Sequence, residues 1–273
     1  MLGAVVSVQT GAAIATTLFD SVGPAGAVFL RVALGAIVLM AIWRPALARA
    51  RGRVWLVAVF GFALAAMNLS FYASLDRIPL GIAVTIEFVG PLGVAIAGSR
   101  RRLDLAWAAL AACGIVLLAP TPGSSLDALG VALALLAGGF WALYIVTSAR
   151  VGQAFEGGDG LAMAMVLAAA LLLPFGVVDG GAELVALGVL AVALAVAVLS
   201  SVIPYSLELE ALRRLPQSTF GVLMSLEPAV ATLAGLVILG QRLSAPELVA
   251  IGLVIAASAG ALGTARAAAP IET

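Results

Sequence analysis

Long apolar segments separated by short polar breaks dominate this sequence. Each segment is long enough to cross a bilayer as a helix, since about 20 apolar residues span the hydrocarbon core. Turn residues such as Gly23-Pro24 and Gly157-Gly158 mark most of the breaks. The sequence therefore predicts an all-α integral membrane protein with ten transmembrane helices, at 2–19, 24–43, 53–73, 79–98, 103–119, 127–149, 160–178, 184–204, 217–239 and 246–265.

The amino-acid composition excludes most other classes of protein. Only 10% of the 273 residues are charged, whereas a water-soluble domain has about 25%. Histidine is absent, which excludes imidazole catalysis and the usual zinc sites, and the single cysteine excludes an internal disulfide. Lysine is also absent, and the net charge of zero gives no indication of nucleic-acid binding. We therefore expect no enzymatic activity and no cofactor or metal, with the lipid bilayer as the main partner.

The arginine residues predict the orientation. If the N-terminus lies inside, eleven of the 14 basic residues fall on the cytoplasmic side, and only Arg77 and Arg242 fall in outer loops. This strong positive-inside bias places both termini in the cytoplasm. The first segment has no basic leader and no small-residue cleavage site, so we expect a retained helix rather than a signal peptide. Whether Met1 is the native start stays open.

An internal repeat is visible in the sequence. Residues 74–79 match residues 211–216, which lie 137 positions later, and a second proline follows each copy, Pro91 and Pro228. The offset corresponds to five segments, an odd number, so the second copy is inverted in the membrane. Inverted repeats around a central site are typical of secondary transporters. We predict two five-helix repeats around a central cavity, at 1–122 and 123–273.

Several charged residues lie inside the predicted spans, where each is costly. A carboxylate at the bilayer centre costs about 2.5–3.5 kcal/mol on insertion scales, so it is expected to face a cavity or a partner. Glu87 and Glu227 lie near the midplane, Arg31 lies within the second span, and Glu208 lies near the cytoplasmic end of the eighth. These groups suit substrate binding, and the two midplane carboxylates suit proton coupling. The alternatives are interhelical hydrogen bonds for the carboxylates and a structural ion pair for Arg31.

Polar and aromatic residues elsewhere in the spans complete a candidate site. A binding pocket needs apolar walls and a few fixed polar groups. Tyr72 and Tyr205 lie near the ends of their segments, so an interfacial anchoring role is equally open for them. The candidate substrate-binding residues are Gln9, Arg31, Asn68, Tyr72, Glu87, Trp141, Tyr144, Tyr205, Glu208 and Glu227.

Six stretches carry motifs that are specific in combination, at 7–13, 79–84, 87–92, 204–208, 214–216 and 220–229. Together they resemble the drug/metabolite transporter superfamily with two EamA-like repeats, and within it the bacterial threonine/homoserine exporter family. The resemblance runs nearly end to end. It implies a multi-pass protein of the bacterial inner membrane that exports threonine, homoserine or similar zwitterions, with the proton-motive force as the driver. One departure is Gln241, where many members of the family have an acidic residue.

Other functions compete with this interpretation. The nearest is an exporter of other small metabolites or drugs from the same superfamily, which would favour a roomier cavity. A membrane-embedded enzyme would need a clustered catalytic set, and a scaffold or receptor would not need midplane carboxylates in both halves. The sequence also leaves open whether the chain acts alone or as a homodimer.

Overall fold

The computed structural model describes residues 2–45, 52–97, 102–117, 126–214, 224 and 226–266. Within these ranges every regular element is a helix. A 3₁₀ turn, Gly181–Val185, precedes α9, and a π-helical turn, Val198–Val202, separates α9 from α10. The α-helices are α1 (Leu2–Thr16), α2 (Phe19–Trp43), α3 (Val54–Leu75), α4 (Leu80–Glu87), α5 (Val89–Ala97), α6 (Arg102–Leu117), α7 (Ala128–Ala154), α8 (Asp159–Gly180), α9 (Leu187–Ala197), α10 (Ile203–Arg214), α11 (Glu227–Leu239) and α12 (Ala245–Arg266).

The length and apolar character of these helices confirm an all-α membrane protein. Five helical stretches have the length and composition needed to cross a bilayer: Phe19–Trp43, Val54–Leu75, Ala128–Ala154, Asp159–Val185 and Leu187–Ala211. Four shorter apolar helices accompany them: Gly3–Thr16, Leu80–Val94, Glu227–Leu239 and Ala245–Ala257. Each of the ten predicted segments contains helix, and the number that cross the membrane stays a prediction.

The fourth predicted segment is not one continuous helix. It breaks at Phe88, between α4 and α5. Pro91 has no N–H, so the carbonyl of Glu87 lacks its helical donor, and the helix opens at that point. Gly138 of α7 packs directly against this carbonyl, where any side chain would collide. In the ninth segment, α11 begins only at Glu227, and the repeat residue Pro216 lies outside the described residues.

The eighth helical region is longer than predicted. It was expected to end near residue 204, but α10 continues to Arg214. The π-helical turn lies just before Pro204, whose missing N–H disturbs the α-helical hydrogen bonding of the preceding turn. Because the helix continues, Tyr205 and Glu208 lie within it and are buried. Six helical residues follow Glu208 before α10 ends at Arg214, so Glu208 does not lie at the end of the helix.

Helices pack in pairs that follow the order of the two halves. α2 packs on α8, α4 on α11 and α6 on α12, so each helix meets the one five segments later. α3 packs on α7 and α8, and correspondingly the region from α9 to α10 packs on α1 and α2. The third predicted segment thus packs on the sixth and seventh, and the eighth packs on the first and second, so the same kind of contact occurs once from each half of the chain. This arrangement leaves one central region that both halves enclose.

The close approach of α7 to the break after α4 gives a test of the packing. A Cβ added to Gly138 would lie 2.6 Å from the Glu87 carbonyl oxygen and 2.9 Å from Val89 Cγ1. Gly138→Ala is therefore expected to lower the stability by about 1–3 kcal/mol, as overpacking does. Thermal unfolding of the detergent-solubilised protein measures this loss.

Gly139→Ala is the matched control. A Cβ at Gly139 would meet no described atom within 4 Å. Since alanine favours a helix interior over glycine, this variant is expected to keep or slightly raise the stability. Equal melting temperatures for the two variants would contradict the packing described here.

Candidate functional site

A buried cavity of about 60 Å³ lies between the two halves of the chain. Helices α1, α2, α3, α4, α7, α10 and α11 each contribute to its lining, and four apolar residues, Val8, Ala12, Met67 and Phe71, complete its walls. Nine of the ten predicted site residues line it: Gln9, Arg31, Asn68, Glu87, Trp141, Tyr144, Tyr205, Glu208 and Glu227. The tenth, Tyr72, is fully buried and does not line the cavity.

Arg31 is a buried cation that is held mainly by neutral groups. Its Nη2 donates to Asn68 Oδ1 and to the Tyr205 hydroxyl at 3.4 Å. Its Cζ lies 4.9 Å from the centre of the Tyr72 ring, within cation–π distance. Arg31 forms no ion pair within the described part of the chain, and its Nε has no hydrogen-bond partner there. No described carboxylate therefore forms the structural ion pair considered from the sequence, and the guanidinium lines the cavity.

Asn68 and Tyr205 join the two halves beside Arg31. Asn68 Nδ2 donates to the Leu64 carbonyl at 2.7 Å and to the Tyr205 hydroxyl at 3.2 Å. The two residues are 137 positions apart, which equals the offset of the sequence repeat. Tyr205 is only 6% exposed, so the interfacial-anchor interpretation does not hold for it. Tyr72 is likewise buried, behind Arg31.

Tyr144 bonds Glu208 at the cavity and is itself packed between aromatic rings. The Tyr144 hydroxyl donates to Glu208 Oε2 at 3.0 Å. The Tyr144 ring stacks on Phe60 at 5.4 Å between centroids and lies 5.7 Å from the Tyr205 ring. Since buried polar groups are normally paired, this hydrogen bond satisfies part of the Glu208 carboxyl group. Glu208 therefore has a partner within the protein.

Glu87 and Glu227 differ from Glu208 because neither has a hydrogen-bond partner among the described residues. Both line the cavity and are more than nine-tenths buried, and neither forms a hydrogen bond or an ion pair with a described residue. Glu87 is the last residue of α4, where the helix dipole opposes a negative charge, whereas Glu227 lies in the first turn of α11, where the dipole favours one. Two unpartnered carboxyl groups thus face the same cavity in unlike electrostatic surroundings.

The π-helical turn is a feature that the sequence interpretation missed. Ser7 Oγ of α1 donates to the Leu199 carbonyl at 2.7 Å, and Ser200 Oγ donates back to the Val8 carbonyl at 3.4 Å. π-helical turns are frequent at functional sites. In the sequence, Ser200 and Ser201 shortly before Pro204 are the residues that could have indicated this irregular turn.

Comparison with known proteins places the chain in a family. The model of the EamA-like transporter family matches residues 128–263. The threonine/homoserine exporter RhtA of Escherichia coli (strain K12) is 44% identical over 269 residues, which cover 97% of this chain and 91% of that protein. The chain belongs to the EamA-like transporter family. The RhtA protein of Salmonella typhimurium (strain LT2) matches with the same identity and coverage.

A solved crystal structure supports the fold of this EamA-like transporter. The two chains align over 96% of each, with a TM-score of 0.69 and 19% sequence identity. Membership of a transporter family confirms the resemblance inferred from the sequence motifs. It also confirms that the chain is a multi-pass membrane transporter rather than an enzyme.

The group around Arg31 gives a second test. Asn68→Leu removes the amide that bonds both Arg31 and Tyr205, and this leaves buried donors unpaired at a cost of about 1–3 kcal/mol. We expect a lower melting temperature in detergent. Ser70→Ala is the matched control on the same helix, because Ser70 Oγ bonds only the Ala66 carbonyl of its own helix. A variant Asn68→Leu as stable as this control would contradict the assignment.

Proposed function

We propose that this EamA-like transporter is a secondary exporter of small amino acids of the threonine or homoserine type across the bacterial inner membrane. The observation that carries the proposal is the charge pattern of the cavity: one buried cation and two unpartnered carboxyl groups line the same small space. That pattern is complementary to a zwitterion. The printed name of the RhtA relatives, threonine/homoserine exporter, supports the same substrate class.

Each end of the zwitterion has a partner in this proposal. The substrate carboxylate binds Arg31, whose unpaired Nε leaves a donor for it. The ammonium group binds Glu87 or Glu227, the carboxyl groups without a hydrogen-bond partner among the described residues. Asn68 and Tyr205 keep the guanidinium in place from the other side.

We also propose that the fold consists of ten transmembrane helices in two inverted repeats, 1–122 and 123–273, with both termini in the cytoplasm. Two observations support this. The helix pairs repeat when the halves are exchanged, and Asn68 meets Tyr205 across the repeat offset of 137 residues. A residue can meet its own repeat equivalent only near an axis that relates the halves. Transport then proceeds as the halves rock around the site.

Proton antiport completes the proposed mechanism, with Glu87 and Glu227 as the coupling groups. A bound ammonium compensates a buried carboxylate, and once the substrate leaves toward the outside the bare charge is costly. A proton from the outer side then neutralises the carboxyl group, and the empty carrier returns. Release of this proton into the cytoplasm makes the site ready for the next substrate. Each cycle thus exchanges one outgoing zwitterion for an incoming proton.

Neutral variants of the two carboxyl groups test this mechanism. We expect Glu87→Gln and Glu227→Gln each to lower threonine efflux from loaded cells by about tenfold or more, since a charge-assisted hydrogen bond contributes about 1.5–3 kcal/mol. Wild-type efflux should rise when the external medium is made more acidic, and at least one variant should lose this response. Glu183→Gln, on an exposed outer turn, is the control. Unchanged efflux and pH response in both variants would refute the assignment.

Cysteine labelling tests the orientation. In a Cys113→Ser background, a cysteine is placed at Glu183 for the proposed outer side and at Gln153 for the inner side, both exposed positions. We expect a membrane-impermeant maleimide to label Glu183→Cys in intact cells and Gln153→Cys only after permeabilisation. The reverse pattern, or labelling of both in intact cells, would exclude the proposed topology.

A further inference from the structure

Gln9 is a buried amide whose carbonyl oxygen has no hydrogen-bond partner among the described residues. It is 4% exposed and lines the cavity from α1. Its Oε1 accepts no hydrogen bond from any described residue. Because buried polar groups are nearly always hydrogen-bonded, an unpaired amide beside a cavity indicates a partner that enters the cavity.

Gln9 also stands apart from the other polar groups of the cavity. Asn68 and Tyr205 bond each other, and Tyr144 bonds Glu208. Trp141 offers only an N–H donor. The proposed zwitterion uses the charged groups through its carboxylate and ammonium ends. Within the described lining, Gln9 is therefore the neutral acceptor that is left for the side chain of the substrate.

We infer that Gln9 recognises the side-chain hydroxyl of the substrate and so selects hydroxylated amino acids over apolar ones of the same shape. This inference rests on the proposed function. A hydroxyl group donates one hydrogen bond and accepts others, and an amide does both. The substrate O–H donates to Gln9 Oε1, and its oxygen can accept from Nε2. Both orientations of the amide therefore satisfy the contact.

The position of Gln9 is fixed by the contacts of its neighbours. Ser7 and Val8 are tied to the π-helical turn by the hydrogen bonds to Leu199 and from Ser200. On the other side of Gln9, Gly11 packs so closely on Ser200 that a Cβ would collide with it. α1 is thus held against the second half of the chain immediately before and after Gln9. Such support is what a discriminating group needs, because a loosely held amide would tolerate either substrate.

The physical basis of the selection is the cost of leaving the amide unpaired. A site built to hydrogen-bond a substrate hydroxyl rejects analogues without it more strongly than an apolar pocket rejects a change in shape. Valine has a methyl group where threonine has its hydroxyl, and norvaline stands in the same relation to homoserine. For one neutral hydrogen bond we expect a preference of roughly tenfold for the hydroxylated partner of each pair.

The test uses full-length protein reconstituted in proteoliposomes. Counterflow of radiolabelled threonine is measured against unlabelled threonine, homoserine, valine and norvaline as competitors. In the wild type, threonine is expected to compete at roughly tenfold lower concentration than valine. Gln9→Met keeps the length of the side chain and removes the amide. It should therefore bring the ratio of the valine and threonine concentrations close to one, mainly by weakening the binding of threonine. A wild-type ratio in Gln9→Met, or no discrimination in the wild type, would overturn the inference.

Two further variants complete the test. Thr10→Val changes a neighbouring polar residue of α1 that does not line the cavity, and it should keep the wild-type ratio.

If Gln9→Met fails to fold, Gln9→Asn retains the amide one methylene further from the substrate, and it should lower the ratio without removing it. An unchanged ratio in Gln9→Asn would then count against the inference. Failure of the proposed function gives a different result, because the wild type would show no threonine counterflow.

Discussion

The buried guanidinium of Arg31 is the group on which the centre of this transporter depends. A charge in this position is costly unless donors and acceptors surround it. Asn68 and Tyr205 accept hydrogen bonds from its Nη2, and the face of the Tyr72 ring covers its Cζ. No described carboxylate forms an ion pair with it. The helices that carry these residues belong to different halves of the chain. Holding the cation therefore also holds the halves together, and it leaves a positive group at the edge of the cavity.

The irregular parts of the helices gather around the same cavity. In a bilayer, non-helical backbone is tolerated only where protein or an aqueous cavity satisfies it. The break at Phe88 is covered by Gly138, and the π-helical turn is tied to α1 by Ser7 and Ser200. Both interruptions lie next to residues that line the cavity, Glu87 in one case and Tyr205 in the other. Glu87 consequently ends one helix, while Glu227 begins another.

The two copies of the sequence motif contribute chemically different residues to the site. At the repeat offset of 137 residues, Glu87 corresponds to Met224 and Glu227 to Gly90. Gly90 packs against the backbone of Gly138 on α7, where a side chain cannot fit. A carboxylate at the equivalent of Glu227 is therefore excluded from the first half. At these paired positions the two copies of the sequence motif therefore carry different groups, so each half of the chain contributes its own side chains to the cavity.

The sequence by itself determined the helical membrane class and which polar residues lie within the helices, because segment length follows from bilayer thickness and a polar group inside a span is costly unless it faces a partner or a cavity. It therefore selected Gln9, Arg31, Glu87 and Glu227 correctly as buried groups, whereas their roles stay predictions. Only the tertiary structure decided which groups pair. It placed Tyr205 beside Arg31, left the Gln9 carbonyl oxygen without a partner among the described residues and extended α10, since such contacts join helices far apart in the chain and depend on distances that no local pattern contains.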